Sequence, residues 1–304
     1  MSDLKLFRIE NGTAVELAGA ALALEKPLQV LIENNMEALF GVRFIASEHS
    51  TGKKHGGRID WLGLDENGSP VIFEYKRAVH ENVINQGLFY LDWLMDHRAD
   101  FELLVMKKLG AEAVGQIDWS GPRLVCVASD FTRYDEHAIG QIDRSIELVR
   151  YRDYDGAFLT LDLVASTSAA ATSAEGEDIP RRGTASDRTV AQLHERAPKD
   201  LRDLYDALDA YLLSLGDDVT KTARTNYYAY RRIKNFACVE IHPQTRKLLV
   251  YLKTEPKTIT LQLGFTRDMS TIGHFGTGDL EVSIGNHGDF EQAQPLIDVS
   301  YQAS

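Results

Sequence analysis

The sequence predicts an α/β N-terminal domain with a central mixed sheet, followed by a smaller α+β domain. Helical and strand-like apolar patterns alternate from Lys26 to Leu163, as expected of an α/β fold. Residues 165–187 are small and polar and have no hydrophobic period, which is typical of a flexible linker. The predicted domains are therefore residues 1–164 and 188–304.

Spacing and composition predict each element of the N-terminal domain. Leu28, Leu31 and Ile32 recur at helical spacing. The all-apolar run at 124–128 is typical of a central strand. The predicted elements are helices at 26–40, 79–97 and 134–148, and strands at 42–48, 58–65, 71–76, 101–106, 123–128 and 158–163.

The C-terminal domain opens with helical patterns and continues with strand-like runs, which predicts an α+β domain with an antiparallel sheet. The predicted elements are helices at 189–196, at 199–215 and from Phe290 onward, and strands at 236–242, 247–253, 258–264 and 279–284.

The strongest candidate for chemistry is the hairpin predicted around Asn67-Gly68. Asn-Gly between two apolar runs is the strongest short-range hairpin signal. A turn centred on Asn67 places Asp60 and Glu74 opposite each other, because both are equally distant from it in sequence. Side chains two residues apart share a sheet face, so Lys76 joins them. Two carboxylates and an ammonium among apolar residues are costly to bury without partners, and a divalent metal would provide one.

Asp60 followed by Glu74-Tyr75-Lys76 resembles the signature of the PD-(D/E)XK nuclease superfamily. Ile59 stands where that motif often has a proline. The surrounding sequence is similar to that of the NucS-type mismatch endonucleases and the RecB-like branch. The resemblance covers roughly residues 24–164 and implies a restriction-endonuclease-like fold and Mg²⁺- or Mn²⁺-dependent hydrolysis of DNA, in repair or in defence.

The resemblance implies a role for each motif residue. Asp60 and Glu74 would bind the metal, and Lys76 would orient or deprotonate the attacking water. Gln86 and Tyr90 are similar to the Gln-x-x-x-Tyr motif of RecB-like nucleases, which supports the catalytic site and the DNA strand. Tyr90 has the alternative of being a core residue.

A third carboxylate is implied on the first helix. The match favours Glu33 as a metal ligand, with Glu37 one turn later on the same face. Glu48, at the end of the following strand, is the weaker rival. Glu33 and Glu37 have the alternative of being exposed helix charges.

Two basic segments are candidates for contact with nucleic acid. Lys53, Lys54 and Arg58 belong to a glycine-rich loop before the aspartate strand, which suits phosphate contact or is a plain surface loop. Arg231, Arg232 and Lys234 alternate with aromatic residues, as in proteins that stack bases and contact phosphates. The alternative for the second segment is an amphipathic strand with buried aromatics.

Charge is unevenly distributed along the chain. The net charge of -12 argues against nonspecific coating of nucleic acid. Residues 220–257 nevertheless carry nine Lys/Arg against two Glu. This basic stripe predicts that the C-terminal domain binds the DNA substrate, with a protein partner or a homodimer as the competing interpretation.

The remaining features predict a cytoplasmic protein without a membrane segment. The chain lacks a secretory signal pattern, and its apolar stretches are too short to span a bilayer. Cys126 and Cys238 are predicted to be buried thiols. The C-terminal domain resembles an uncharacterised domain that follows such nuclease domains and once carried a "predicted transport protein" label. The alternative function is a non-catalytic nucleic-acid-binding or protein-interaction protein on a nuclease fold.

Overall fold

The computed structural model describes residues 4–19, 26–75, 83–168 and 189–304. Apart from the hairpin turn at 65–67, the chain divides after residue 170 into two compact units. The N-terminal unit is a mixed α/β structure with a central mixed sheet, and the C-terminal unit is a separate sheet-rich structure. The coarse fold class predicted from the sequence is therefore correct.

The N-terminal unit is built on a six-stranded sheet in the order β3-β4-β5-β6-β7-β8. Strands β5, β6 and β7 are parallel, whereas β4–β5 and β7–β8 are antiparallel. The strands of this unit are β1 (Leu6–Glu10), β2 (Thr13–Leu17), β3 (Val42–Ser50), β4 (Arg58–Asp65), β5 (Pro70–Tyr75), β6 (Arg123–Ala128), β7 (Ser145–Tyr154) and β8 (Phe158–Thr167). Its helices are α1 (Lys26–Asn34), α2 (Met36–Phe40), α3 (Gly52–His55), α4 (Val83–Asp96), α5 (Arg98–Leu109), α6 (Ala111–Gly115) and α7 (Arg133–Ile139).

The predicted hairpin register is confirmed. Trp61 pairs with Phe73 and Leu62 with Ile72, as a turn centred on Asn67 requires. Gly68 has a φ of 78°, a left-handed conformation that glycine adopts without steric cost. The Asn-Gly turn signal was therefore enough to predict which residues face each other on β4 and β5.

One face of the sheet is covered by α4, α5 and α7, which pack into a single apolar core with it. Gly87 of α4 lies directly over the sheet, since a Cβ there would come within 2.4 Å of Leu124 Cδ1. The helix can approach β6 this closely only because the side chain is absent. The core residues on this face include Leu62, Ile72, Ile84, Leu91, Leu94, Phe101, Val105, Leu124, Cys126, Ile139 and Leu148.

The segment predicted as a strand at 101–106 is instead part of helix α5. Its buried residues, Phe101 and Val105, are four apart, while Leu103 and Met106 are exposed. Only a helix places the first pair on one face and the second pair elsewhere. The prediction was wrong because a short apolar run fits either period.

The helix predicted at 134–148 ends much earlier, because α7 stops at Ile139 and β7 begins at Ser145. Ile146, Leu148 and Val149 are fully buried, as in a strand covered on both faces. The sequence prediction missed β7 by reading this buried parallel strand as a continuation of the helix.

Smaller differences concern element boundaries. The helix predicted at 26–40 is interrupted at Asn35, whose side-chain amide donates to the Leu31 carbonyl at 2.7 Å. Strand β8 continues to Thr167, so the predicted linker cannot begin before residue 168. The linker residues 169–187 lie outside the described residues. The N-terminal hairpin β1–β2 was not predicted, although Asn11-Gly12 forms its turn.

The C-terminal unit contains a six-stranded antiparallel sheet in the order β13-β14-β12-β11-β10-β9. Its strands are β9 (Thr220–Ala223), β10 (Tyr228–Arg231), β11 (Asn235–His242), β12 (Lys247–Leu252), β13 (Thr266–Asp268) and β14 (Leu280–Ile284). Its helices are α8 (Val190–Arg196), α9 (Lys199–Ser214) and α10 (His287–Gln302), with a 3₁₀ turn at Pro256–Thr258.

Helices α9 and α10 pack on one face of this sheet. Leu201, Leu204, Tyr205, Leu208 and Leu212 form the buried stripe of α9 at helical spacing. The strand predicted at 258–264 is absent from the described structure, where Leu261 and Leu263 are exposed in a loop. The sequence prediction also missed the short strands β9, β10 and β13.

A tyrosine cluster connects α9 to the edge of this sheet. The hydroxyls of Tyr205 and Tyr230 are 3.0 Å apart, and that of Tyr230 also donates to Asp209. Lys221 Nζ lies 2.7 Å from Asp209 Oδ1 and 4.6 Å from the ring centroid of Tyr228. The ammonium is thus held by a carboxylate and by aromatic faces, which stabilise a cation.

No helix within the described ranges is long and apolar enough to cross a membrane.

Replacing Gly87 by alanine should destabilise the N-terminal unit by about 1–3 kcal/mol, because the new Cβ would overpack against Leu124. This loss should exceed the gain of up to about 1 kcal/mol that alanine brings to a helix. Urea denaturation would measure the difference. Gly115→Ala in α6 is the matched control, since its Cβ would meet no atom within 4 Å. A Gly87→Ala variant as stable as Gly115→Ala would contradict the packing account.

Candidate functional site

The functional candidate is the point where β4 and β5 separate. Their pairing ends at Trp61 and Phe73, and the next residue on each strand toward the open end is Asp60 on β4 and Glu74 on β5. The backbone N–H of Asp60 donates to Glu74 Oε1 at 3.2 Å, and the backbone N–H of Tyr75 donates to Asp60 Oδ2 at 2.9 Å. Each carboxylate therefore accepts a backbone donor from the opposite strand, and the predicted convergence of Asp60 and Glu74 is present.

Burial governs the protonation of Glu74. Glu74 is only 1% exposed. Burial, together with the charges of Asp60 and Glu48, raises the pKa of Glu74 to about 9, against the lowering effect of the Asp60 N–H. Without a cation nearby, the ionised form of Glu74 is disfavoured at neutral pH. A cation beside the two carboxylates would reverse that preference.

The pair fits a hard divalent cation. Carboxylate oxygens are the ligands that Mg²⁺ prefers, and Mg²⁺ uses one or two of them and takes its other ligands from water and phosphate. The described residues contain no group of three or more His, Cys, Asp or Glu arranged as a metal site. The metal-binding role of Asp60 and Glu74 stays a prediction.

Glu33 on α1, the predicted third carboxylate, contacts Trp61. Glu33 Oε2 accepts the indole N–H of Trp61 at 3.1 Å. Trp61 alternates with Asp60 along β4, so its side chain projects from the other face of the sheet. Glu33 is thus held beside the hairpin but on the Trp61 side, and its role as a metal ligand stays a prediction. Its neighbour Glu37 is exposed on α2.

Besides Asp60, Glu48 is a carboxylate whose negative charge contributes to the raised pKa of Glu74. It adopts a φ of 52° within β3 and forms an ion pair with Arg58, with 2.5 Å between Oε2 and Nε. A non-glycine residue in the left-handed region is strained by about 1–3 kcal/mol, and such strain clusters at functional sites. Strand-end position was the only sequence signal for Glu48, because left-handed backbone cannot be read from a glutamate.

Tyr90 lies on α4 and contacts the start of β4. Its hydroxyl accepts the backbone N–H of Arg58 at 3.0 Å and the side-chain amide of Gln86 at 3.3 Å. The ring is 5% exposed and belongs to the core, so it does not offer a face for contact with DNA. A Cβ at Gly57 would lie 2.5 Å from Tyr90 Cε1, which leaves only glycine room there. The Tyr90 hydroxyl thus holds the backbone at the start of β4.

The basic loop before β4 is closed by Thr51. The Thr51 hydroxyl donates to the Gly57 carbonyl at 3.0 Å and accepts the Gly57 N–H at 2.9 Å. Lys53 is exposed on the short helix α3 inside this closed loop, while the side chain of Lys54 lies outside the described residues. The loop therefore presents Lys53 from a fixed base next to Arg58.

Lys76 lies outside the described residues, which stop at Tyr75 and resume at Val83. Its predicted place beside Asp60 and Glu74 stays a prediction from strand alternation.

The cations of the basic stripe are largely engaged inside the C-terminal unit. Arg231 is 6% exposed and donates to the Ile233 carbonyl at 2.7 Å. Arg232 Nε lies 2.6 Å from Asp218 Oδ2, and its guanidinium covers the ring of Tyr301. Burial, with the charge of Lys253, lowers the pKa of Lys234. Arg231 is therefore buried, and Arg232 is engaged by residues distant in sequence. The role of this segment in contacting phosphates stays a prediction.

The pH dependence of stability should reveal Glu74. A carboxyl whose pKa rises on folding from 4.5 to about 9 makes the native state bind the proton more tightly than the unfolded state. Stability is then complete below pH 4.5 and falls as the pH rises toward 9, by up to about 1.4 kcal/mol per pH unit. In EDTA, Glu74→Gln should abolish this decline in urea unfolding between pH 5.5 and 8.5. Glu37→Gln, on an exposed position, should leave it unchanged, and equal slopes in all three proteins would refute the account.

Arg232→Gln separates a structural cation from a phosphate contact. Loss of the Asp218 ion pair and the Tyr301 contact should lower stability by about 1 kcal/mol, since the pair is partly exposed. The salt dependence of DNA binding should not change. A log–log slope flattened by about 0.9 would instead identify Arg232 as a phosphate contact on duplex DNA.

Comparisons with known proteins place the chain near proteins of unassigned function. Residues 190–303 match the model of a domain of unknown function, DUF5655. An uncharacterized protein of Haemophilus influenzae (strain ATCC 51907 / DSM 11121 / KW20 / Rd) is 27% identical over 305 residues, covering 97% of this chain and 98% of its own length. A solved structure described as "Structure of EndoMS-dsDNA2 complex" is similar at 19% identity, covering 43% of this chain and 46% of that one, with a TM-score of 0.25. A likeness of that size supports no conclusion about this protein.

Proposed function

We propose that the N-terminal unit is a metal-dependent nuclease that hydrolyses phosphodiester bonds of DNA with Asp60, Glu74 and Lys76. The observation that carries this proposal is the pair of carboxylates at the separated end of β4 and β5. Glu74 is buried there beside Asp60 with a pKa raised to about 9. Such a pair is costly for the apo fold and becomes favourable with a divalent cation, which is the environment of a carboxylate metal site.

Each residue would have a distinct task. Asp60 and Glu74 would hold Mg²⁺ or Mn²⁺ with their carboxylate oxygens, and the ion would supply charge neutralisation and a more acidic water. Lys76, which follows Glu74 by two residues, would orient that water and counter negative charge at phosphorus. The hydroxyl of Tyr90 would keep Arg58 and the start of β4 in place.

The surroundings suit an anionic substrate. Lys53 is exposed on a loop that Thr51 closes, and Arg58 is exposed at the start of β4. Lys53 and Arg58 precede Asp60 by seven and two residues. They would contact the phosphates that flank the reacting one, whose own charge the metal would meet.

The alternative is a non-catalytic nucleic-acid-binding or protein-interaction protein on the same fold. It differs in one measurable respect, because such a protein has no need of a metal bound between Asp60 and Glu74. The full-length chain titrated with Mg²⁺ or Mn²⁺ by calorimetry would favour the alternative if no binding depended on Glu74. A homodimer stays a prediction from the sequence.

Asp60→Asn and Glu74→Gln should each lower Mn²⁺-dependent cleavage of single-stranded and duplex DNA by at least about a hundredfold. Both should also lose metal binding, because each removes a ligand. Lys76→Met should lose cleavage to a similar extent but retain metal binding, since it acts on water rather than on the ion. Asp92→Asn, an exposed position on α4, is the matched control. Metal-dependent cutting that persists in Asp60→Asn would refute the proposed site.

A further inference from the structure

The turn of the β4–β5 hairpin is part of the C-terminal unit. Asp65–Asn67 group with Ala171–Ser304, whereas the residues on either side of the turn group with the N-terminal unit. The open end of the same hairpin carries Asp60 and Glu74. Whatever holds the three turn residues therefore acts on the element that carries the candidate site.

One bond inside the turn fixes its bend. The carboxylate of Asp65 accepts the backbone N–H of Asn67 at 2.9 Å, as in an Asx turn. The side chains of Glu66 and Asn67 find their partners far along the chain instead. These partners are Tyr227, Asn235 and Lys253.

The side-chain amide of Asn67 pairs with that of Asn235. Asn235 Nδ2 donates to Asn67 Oδ1 at 2.8 Å, and Asn67 Nδ2 donates to Asn235 Oδ1 at 3.3 Å. The Tyr227 hydroxyl donates to the same Asn67 oxygen at 3.0 Å. Asn235 is only 2% exposed, and buried polar groups require hydrogen-bond partners. Asn67 thus supplies partners that the buried amide needs.

The carboxylate of Glu66 is held by a charge and by a backbone donor. Glu66 Oε2 accepts the backbone N–H of Asn235 at 2.9 Å, and its other oxygen forms an ion pair with Lys253. The side chains of Lys253 and Glu66 are 24% and 18% exposed. Solvent therefore screens this pair less than it screens an ion pair on the open surface.

The residues that receive the turn are fixed by the sheet behind them. Asn235 begins β11 and Lys253 directly follows β12, and these two strands pair with each other. The backbone N–H of Lys253 donates to Ser300 Oγ of α10 at 2.8 Å, and that hydroxyl donates to the Phe236 carbonyl at 2.6 Å. The partners of the turn therefore stand on a rigid base, and their donors match a Glu-Asn pair.

We propose that Tyr227, Asn235 and Lys253 form a turn-binding notch that positions the catalytic carboxylates by holding the turn of their hairpin. This inference rests on the proposed function and gives the C-terminal unit a task in the reaction. The turn determines the register of the two strands, and that register sets Asp60 opposite Glu74. A displacement of about 1 Å at a reacting centre can cost about a hundredfold in rate.

The test compares the full-length native chain with Lys253→Glu, which places two carboxylates against each other. Hydrogen exchange of the β4 and β5 amides should become about tenfold faster, because repulsion replaces attraction at the turn. Adding Glu66→Gln should restore most of the protection, since it removes the repulsion and keeps an acceptor for the Asn235 N–H. Lys199→Glu is the matched control, because it reverses one charge of the exposed Lys199–Asp203 pair on α9 and should leave the hairpin unchanged.

Kinetics distinguish positioning from contact with the substrate. In Lys253→Glu, kcat of Mn²⁺-dependent DNA cleavage and the affinity for Mn²⁺ should each fall about tenfold, because the two carboxylates lose their geometry. The KM for DNA should not change, and Glu66→Gln in the same chain should restore both losses. A raised KM with unchanged Mn²⁺ affinity would identify a contact with DNA and overturn the positioning role.

Hydrogen exchange also separates the two proposals. Unchanged exchange of the hairpin in Lys253→Glu would overturn the notch, whether or not the native protein cuts DNA. If the native protein cuts no DNA with any metal, the nuclease proposal and the positioning role are both wrong. Faster exchange in Lys253→Glu would then still establish that the notch holds the hairpin.

Discussion

Two carboxylates that accept backbone N–H groups across a pair of separating strands are the constraint on which the candidate site depends. Beyond the last β4–β5 pair, the backbone N–H of Asp60 donates to Glu74 Oε1 and the backbone N–H of Tyr75 donates to Asp60 Oδ2. A buried N–H without a partner is rarely tolerated, so the carboxylates satisfy the backbone and remain close to each other. The repulsion between the two carboxylates therefore arises at the point where β4 and β5 separate.

The neighbouring elements keep that opening in one geometry. Tyr90 holds the N–H of Arg58, and Gly57 leaves room for its ring, so β4 begins at a fixed point. On the other side, Gly87 lets α4 lie close on β6. Both contacts require a glycine, Gly57 in one case and Gly87 in the other. Through them, α4 contacts both the sheet core and the start of β4.

The sequence could predict the register of the hairpin because Asn67-Gly68 determines its turn locally, and the pairing of Asp60 with Glu74 followed from alternation. It could not determine whether 101–106 was a strand, because the decisive burial of Phe101 and Val105 depends on what packs against them. A similar reason applies to the basic stripe, whose role in binding DNA stays a prediction. Asp209, Asp218 and Asp200 neutralise Lys221, Arg232 and Arg246 from positions that only the folded C-terminal unit brings near. Charge counted along the chain is therefore not the charge that a surface presents.

The distribution of tryptophan gives the molecule a built-in optical reporter. All three tryptophans, Trp61, Trp93 and Trp119, belong to the N-terminal unit. Trp61 follows Asp60 directly in β4, and its indole donates to Glu33. Its emission therefore depends on the electric field of the carboxylates around it and should shift when a cation enters their midst. Light absorbed only by indoles would not excite the C-terminal unit, which contains tyrosines but no tryptophan.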